Sequence, residues 1–423
     1  MIRHNLIQKF DYTELPNGLR IISEYIPYVR SVSAGLWVEA GSRDEKDKKG
    51  ITHFIEHLVF KGTKTRSAKR IAYEFDSFGA EVNAFTGKEN CCFYINFLDD
   101  YLDRATEILF DMILNSRFSK RDILSEKNVI REEIKMHEDT PAEQVHDLFV
   151  GTLFDGHPLG SPVVGTIDSV EGIGREDVLE YYKTMFIPGH MVFAAAGNVK
   201  HTQLVEAVEK YFHLPAGSDR KRTAVEPQIK EAQKVVYKET EQVNLCYGTA
   251  CFSKFSPKRY ALGVMANILG GSMSSRLFQE IREKRGLVYS ISSIYTLFAE
   301  TGAVYIYAGT RPENVEKVLA LIDEETKKIR HRGFRREEVI RSKEHIKGNV
   351  VLGLEETSSR MARIGKSLLD RDEILSLNEV LLKIDGVTRE DMQSVFEETF
   401  GRKETVLTVI GPWQDSASLG PFQ

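Results

Sequence analysis

Two histidines four residues apart, with a glutamate just before the second, are the first residues in this chain whose types and spacing suggest chemistry. Residues 50–63 read GITHFIEHLVFKGT. On a helix, His53 and His57 stand at i and i+4 and project from one face about one turn apart. Two imidazoles so placed suit one tetrahedral zinc ion, which takes histidine nitrogen at about 2.0–2.1 Å. Glu56 lies close to the same face and reaches a water at the ion's open position without ligating the metal. That arrangement suits hydrolysis, with the glutamate as general base. Phe54, Ile55, Leu58 and Val59 demand burial, so the three polar side chains among them should line an interior cleft.

A two-histidine site needs a third protein ligand and keeps a fourth position for water. Residues 124–138, LSEKNVIREEIKMHE, are helical by composition. Glu126 and Glu133 are two turns apart on one face, whereas Glu132 is turned about 100° from Glu133. One carboxylate can ligate while another orients a histidine through its second nitrogen. A purely structural zinc site fits less well, since such sites use four protein ligands, often cysteine.

The order H-x-x-E-H reverses the H-E-x-x-H of the zincins and is a metalloprotease signature. With Glu133 standing 76 residues after His57 (133 − 57 = 76), the segment closely resembles the pitrilysin/insulysin superfamily of zinc peptidases, the inverzincins. The chain resembles in particular the bacterial branch similar to mitochondrial processing peptidase. The likeness covers essentially the whole sequence. NAFTGKENCCFY (83–94) resembles the family's substrate-edge strand, and HPLGSPVVGT (157–166) another family segment. SSRLFQEIREKRGLVYS (274–290) resembles the motif of the second domain that supplies an arginine and a tyrosine.

The resemblance implies His53, His57 and Glu133 as ligands of one Zn2+ per chain, Glu56 as the base and Glu126 as a supporting carboxylate. It implies that Arg282 and Tyr289 grip substrate or stabilise the oxyanion, and that Asn83 and Ala84 pair with extended peptide. The implied activity is that of a zinc metalloendopeptidase acting on unfolded peptides or precursor segments. Some members of the family are instead non-catalytic partner or scaffold subunits. Those typically lose motif residues, and this sequence keeps them all. Larger members resemble two such chains joined around a chamber. This chain would then be half of a clamshell, forming a homodimer or a heterodimer with a related subunit, with Arg282 and Tyr289 acting in trans.

The elements that must position these residues belong to a repeat. Residues 170–178, VEGIGREDV, match 384–392, IDGVTREDM, at an offset of 214 (384 − 170). The same offset sets the strand 192–197, VFAAAG, against 406–411, VLTVIG. Two similar domains follow: residues 1–213, holding the metal site, and 229–423, of similar fold without it. The polar, Gly- and Pro-containing stretch 214–228 reads as the linker. The offset carries His53 to Asn267, Glu56 to Gly270 and His57 to Gly271, so one domain alone has the site. In the first half, strands are expected at 19–24, 32–38, 81–85 and 91–97, with helices at about 50–60, 67–78 and from Tyr101. Paired strands with helices grouped between them predict an α+β fold, each domain a mostly antiparallel sheet packed with helices.

Composition agrees with a globular enzyme of more than one domain. The chain has 423 residues, 42% of them hydrophobic and 28% charged. A net charge of −5 argues against nucleic-acid binding driven by phosphate neutralisation. The basic stretch Lys327–Arg336 runs straight into Glu337 and Glu338 and reads as a solvated helix end and turn. The N-terminus has no signal-like apolar stretch, and no apolar run reaches the ~20 residues that span a bilayer. Cys91, Cys92, Cys246 and Cys251 match no metal spacing and read as reduced, half-buried thiols of a cytoplasmic protein.

Overall fold

The computed structural model describes residues 10–217, 222–371 and 374–412. Residues 1–9, which open the expected first domain, 218–221 of the expected linker, and 413–423 lie outside the described residues. The first half of the chain forms β1 (Phe10–Glu14), β2 (Arg20–Tyr25), β3 (Ser31–Val38), α1 (Ile51–Val59), α2 (Ala68–Asp76), β4 (Glu81–Thr86) and β5 (Cys91–Leu98). It continues with α3 (Leu102–Leu114), α4 (Lys120–Glu138), α5 (Pro141–Leu153), α6 (Ile167–Glu171), α7 (Arg175–Met185), β6 (Met191–Gly197) and α8 (His201–Tyr211). The second half gives β7 (Ala232–Tyr237), β8 (Val243–Cys251), α9 (Arg259–Gly270), β9 (Val288–Leu297), β10 (Gly302–Thr310) and α10 (Val315–Arg332). After these come α11 (Arg336–Gly353), α12 (Thr357–Arg371), α13 (Leu377–Asp385), α14 (Arg389–Glu398) and β11 (Val406–Gly411).

Among the described residues, two mixed sheets carry the fold, in the orders β1-β2-β6-β3-β5-β4 and β7-β11-β8-β10-β9. All pairings are antiparallel except β2–β6 and β7–β11. From β2 and β7 onward the two orders are the same, which is the repeat seen as topology. Helices α7 and α14 start 214 residues apart (389 − 175), the offset read in the sequence. The expected first-half elements are present to within about two residues, and β1, whose burial alternates only weakly, is an addition.

Period-two patterning explains why β6 is buried along its whole length. Met191, Phe193 and Ala195 face the core shared with α1 and α3. Val192, Ala194 and Ala196 face Met361, Ile364 and Leu368 of α12. In β11, likewise, Leu407 and Val409 face one core, while Val406 and Ile410 meet Val145, Phe149 and Leu153 of α5.

These helices correct the expected domain bounds. The compact units are not the contiguous halves 1–213 and 229–423: residues 135–160 fall with the second unit, and 351–377 with the first. The chain passes between units at 222/223, inside the expected linker. Helix α5 follows the first half's site helix yet covers the second sheet, and α12 does the reverse. The two begin 216 residues apart (357 − 141), so both repeats send the corresponding helix across. Trp37 Nε1 lies 3.5 Å from Met361 Sδ, and Ser33 Oγ lies 2.9 Å from Thr357 Oγ1. Arg360 pairs with buried Glu24 at 2.6 Å.

The thiols are more enclosed than expected: Cys91, Cys92 and Cys246 are buried, Cys251 is intermediate, and all four are free. The basic stretch does end one helix and begin the next, its lysines pairing with Asp323, Glu324 and Glu325. Among the described residues, no helix is long and apolar enough to cross a membrane.

Candidate metal centre

Helix α1 opens after Gly50, whose φ of +86° is left-handed. A Cβ there would stand 2.6 Å from the Val164 carbonyl oxygen, so only glycine fits. Glycine offers no capping side chain, and the first turn has no acidic residue. Glu45 supplies the missing acceptor from the preceding loop, taking the amides of Gly50 at 2.6 Å and Thr52 at 2.9 Å. That loop is itself fixed: Arg222 donates to Asp44 at 2.8 and 2.7 Å and to the Glu89 carbonyl at 2.8 Å, and Arg43 pairs with Glu89. Phe54, Ile55, Leu58 and Val59 are at most 1% exposed, which locks the helix's rotation and turns His53, Glu56 and His57 together.

Helix α4 brings the third donor. Glu133 faces both rings, at 3.6 Å from His53 Nε2 and 3.5 Å from His57 Nε2. Ligands about 2.0–2.1 Å from a tetrahedral zinc stand roughly 3.3 Å from one another, within a few tenths of these separations. The three donor atoms all lie within 4.8 Å of one another. The donor set of two nitrogens and one oxygen is the kind zinc takes in sites that keep an open position. Among the described residues, no other such cluster of His, Cys, Asp and Glu occurs.

Glu126, one face with Glu133, sits behind the site. Its carboxylate is 2% exposed and lies 3.3 Å from His57 Nδ1 and 2.8 Å from Lys61 Nζ. It thus fixes the ring so that Nε2 points inward. Glu132 is exposed on another face. His53 Nδ1 is buried with no hydrogen-bond partner among the described residues. Burial, with help from the neighbouring His57, pushes His53 down to about 4, so its ring is neutral at neutral pH and able to donate a lone pair. Burial also lowers His57, but the hydrogen bond and charge of Glu133, the hydrogen bond to Glu126 and the charge of Glu56 outweigh it and raise that ring.

Glu56 is not one of the three donors, but its carboxyl feels the charge of His57 and Glu133. It accepts a hydrogen bond from Thr86 at the end of β4, and burial raises its carboxyl above the ordinary range. Strand β4 is the edge of its sheet. On it, the Ala84 amide donates to Asn83 Oδ1 at 2.8 Å. Among the described residues no strand pairs with the outer side of β4, and Thr86 at its end places it close to Glu56. Thr86, Glu45 and Lys61 were not singled out by the sequence. The available hint was a helix beginning at glycine with no capper of its own.

The remaining two candidates stand in the second unit. The Arg282 guanidinium lies 6.0 Å from the Tyr289 ring centroid and 4.7 Å from that of Phe278. Tyr289 is 75% exposed. Arg282 lies in a wide π-helical turn, Phe278–Glu283, a geometry that recurs at functional sites. The structure thus assembles His53, Glu56, His57, Glu126 and Glu133 in one unit, and Arg282 with Tyr289 in the other.

Residues 20–167 match the family described as Insulinase (Peptidase family M16), and residues 172–346 match the Peptidase M16 inactive domain. An uncharacterized zinc protease of Streptomyces coelicolor is 41% identical over 95% of this chain and 90% of its own length. The chain belongs to peptidase family M16. A second M16 relative, an uncharacterized zinc protease of Bacillus subtilis, is 37% identical over 94% of this chain and 97% of its own. The M16 fold extends to solved structures. A protease from Helicobacter pylori superposes with a TM-score of 0.87 at 22% identity, over 95% of this chain and 99% of that one. A Peptidase M16 inactive domain from Pseudomonas fluorescens gives 0.89 at 18%, over 96% and 98%.

Proposed function

We propose that this M16 protein is a zinc-dependent endopeptidase that hydrolyses unfolded peptides or precursor segments, with Glu56 as general base. The observation that carries the reading is the convergence of His53, His57 and Glu133 on one point, with Glu56 beside it and held by Thr86. A zinc ion held by those three residues would polarise the scissile carbonyl and acidify the attacking water. Glu56, its carboxyl raised by burial, takes the proton from that water and delivers it to the leaving amine. Glu126 keeps the His57 ring oriented. Edge strand β4 would bind the substrate backbone in extended form at Asn83 and Ala84, the Ala84 amide turning from Asn83 Oδ1 to the substrate, which favours unfolded chains over folded ones.

Arg282 and Tyr289 would steady the substrate or the developing oxyanion. In this reading the protein is a homodimer, or pairs with a related chain, and each subunit lends that pair to the other's zinc. Mixing Glu56→Gln with Tyr289→Phe subunits should then restore activity that neither has alone, and no restoration would refute action in trans. The four free cysteines are compatible with a cytoplasmic location. A second reading, a non-catalytic partner subunit, draws on the match of residues 172–346 to a domain described as inactive. Cleavage of a mixed peptide library separates the two. The peptidase reading requires cleavage that Glu56→Gln abolishes while about one zinc per chain is retained. Bound zinc without any cleavage would favour the partner role.

A further inference from the structure

Arg222 lies in the stretch that joins the repeats in sequence, yet it belongs to the first unit and only 13% of its side chain is exposed. Its Nε and Nη2 grip the Asp44 carboxylate at 2.8 and 2.7 Å, and Nη2 also donates to the Glu89 carbonyl at 2.8 Å. Nη1 stands 3.5 Å from the Glu39 carboxylate. One guanidinium thus clamps the loop between β3 and α1 to the turn between β4 and β5. The two segments meet closely there. The Ser42 and Arg43 amides donate to the Gly87 and Lys88 carbonyls at 3.1 and 3.0 Å, and a Cβ on Gly41 would stand 2.4 Å from the Lys88 backbone.

Each clamped segment leads to the metal centre. On the loop side, Asp44 is followed by Glu45, whose carboxylate holds the Gly50 and Thr52 amides, and Thr52 immediately precedes His53. On the turn side, Thr86 ends β4 and holds Glu56. Glu56 is therefore held from one arm and the start of its own helix from the other, and Arg222 closes the joint between the arms. Buried ion pairs add little net stability over apolar packing, but a guanidinium fork on a carboxylate fixes direction as well as distance.

We propose that Arg222 is a positioning residue of the metal centre, setting where the Glu56 carboxylate stands relative to His53 and His57. This role rests on the peptidase reading and involves no contact with substrate. A catalytic group displaced by about 1 Å can cost up to about 100-fold in rate. The loss should fall on kcat rather than on metal binding, because the buried apolar residues of α1 hold both histidines in place.

The test compares Arg222→Ala with Arg360→Ala. Arg360 also pairs with a buried carboxylate of the first unit, Glu24 at 2.6 Å, but on the α12 face of the sheet, away from α1. On a peptide that the wild type cleaves, Arg222→Ala should lower kcat at least about tenfold, with KM within about threefold and zinc affinity by chelator competition within about twofold of wild type. Arg360→Ala should keep kcat within about twofold. Free guanidinium at about 20 mM, far below denaturing concentrations, should raise the kcat of Arg222→Ala at least about threefold and leave the wild type unchanged. Without any substrate, amide hydrogen exchange at Ser42 and Arg43 should be faster in Arg222→Ala and slowed again by guanidinium. A smaller loss of kcat, a loss that guanidinium does not reverse, unchanged exchange, or an equal loss in Arg360→Ala would each overturn the proposal. If Arg222→Ala does not fold, Arg222→Lys, which keeps the charge without the fork, decides by the same kcat criterion. A wild type that holds zinc and cleaves no peptide would overturn the peptidase reading and this role with it, whereas an active wild type with an unaffected variant would overturn this role alone.

Discussion

Replacing Glu45 should loosen the helix that carries the metal site, and the loss should depend on pH in a direction the structure dictates. Glu45 is 3% exposed and accepts two amides at the start of α1. Truncation to alanine strands both buried donors, and each such donor costs about 1–3 kcal/mol. The carboxylate is itself strained by burial, which pushes its pKa from 4.5 up to about 7. Because the folded value lies above the unfolded one, this group's contribution is fully present below about pH 4.5 and is lost as pH rises through about 7. Between pH 5 and pH 8 the difference amounts to about 2.5 kcal/mol. At pH 8 the desolvation penalty therefore offsets much of what the two hydrogen bonds contribute, and at pH 5 it does not. Urea denaturation of wild type and Glu45→Ala, both in chelator, should give a deficit of about 2–6 kcal/mol at pH 5 and a distinctly smaller one at pH 8. Titrations elsewhere in the chain are common to both proteins and cancel in the difference. A deficit that is equal at the two pH values, or larger at pH 8, would refute the reasoning.

Three further outcomes are expected. Glu126→Gln keeps one acceptor for His57 Nδ1 but removes the charge, so zinc affinity should fall about 10- to 100-fold; a change below threefold in chelator competition would mean the contact does not orient the ring. Thr86→Val removes the hydroxyl that holds Glu56 and should lower kcat about tenfold with zinc affinity within about twofold, whereas an unchanged kcat would deny Thr86 a positioning role. Gly365→Ala sets two magnitudes against each other on α12. Helix propensity favours alanine by about 1 kcal/mol, but the new Cβ would stand 2.4 Å from Trp37 Nε1 and 2.9 Å from Ala194 Cβ. Overpacking of about 1–3 kcal/mol should win, giving a net loss visible in urea denaturation, and a stabilised variant would contradict the docking of α12 on the first sheet.

What could be read in advance was whatever the chain encodes locally or by repetition. The spacing of His53 and His57 follows from helical periodicity, and the apolar residues around them fix which way they face. The repeat marked the strands β6 and β11 and the two similar domains, and the paired strands with helices grouped between them marked the α+β architecture. Glu133 and Glu126 were both visible, but spacing alone could not say which faces the rings. That depends on how α4 lies across α1, which places Glu133 at Nε2 and Glu126 at Nδ1. The crossing of α5 and α12 was not legible for a similar reason. An apolar helix face shows that it needs a sheet, and Val145, Phe149 and Leu153 carry no mark of which one. Glu45 and Thr86 act through tertiary contacts with α1, and no motif at their own positions announces them.

The measurement that bears most directly on the metal centre is the zinc affinity of Glu133→Gln beside Glu132→Gln, by chelator competition on proteins purified together. The two glutamates are adjacent on α4 but occupy different faces, Glu133 against the two rings and Glu132 exposed, so each variant controls for the other's helix. The account predicts affinity lowered at least tenfold in Glu133→Gln and unchanged in Glu132→Gln. Wild-type affinity in Glu133→Gln, or an equal loss in both, would contradict a centre built from His53, His57 and Glu133.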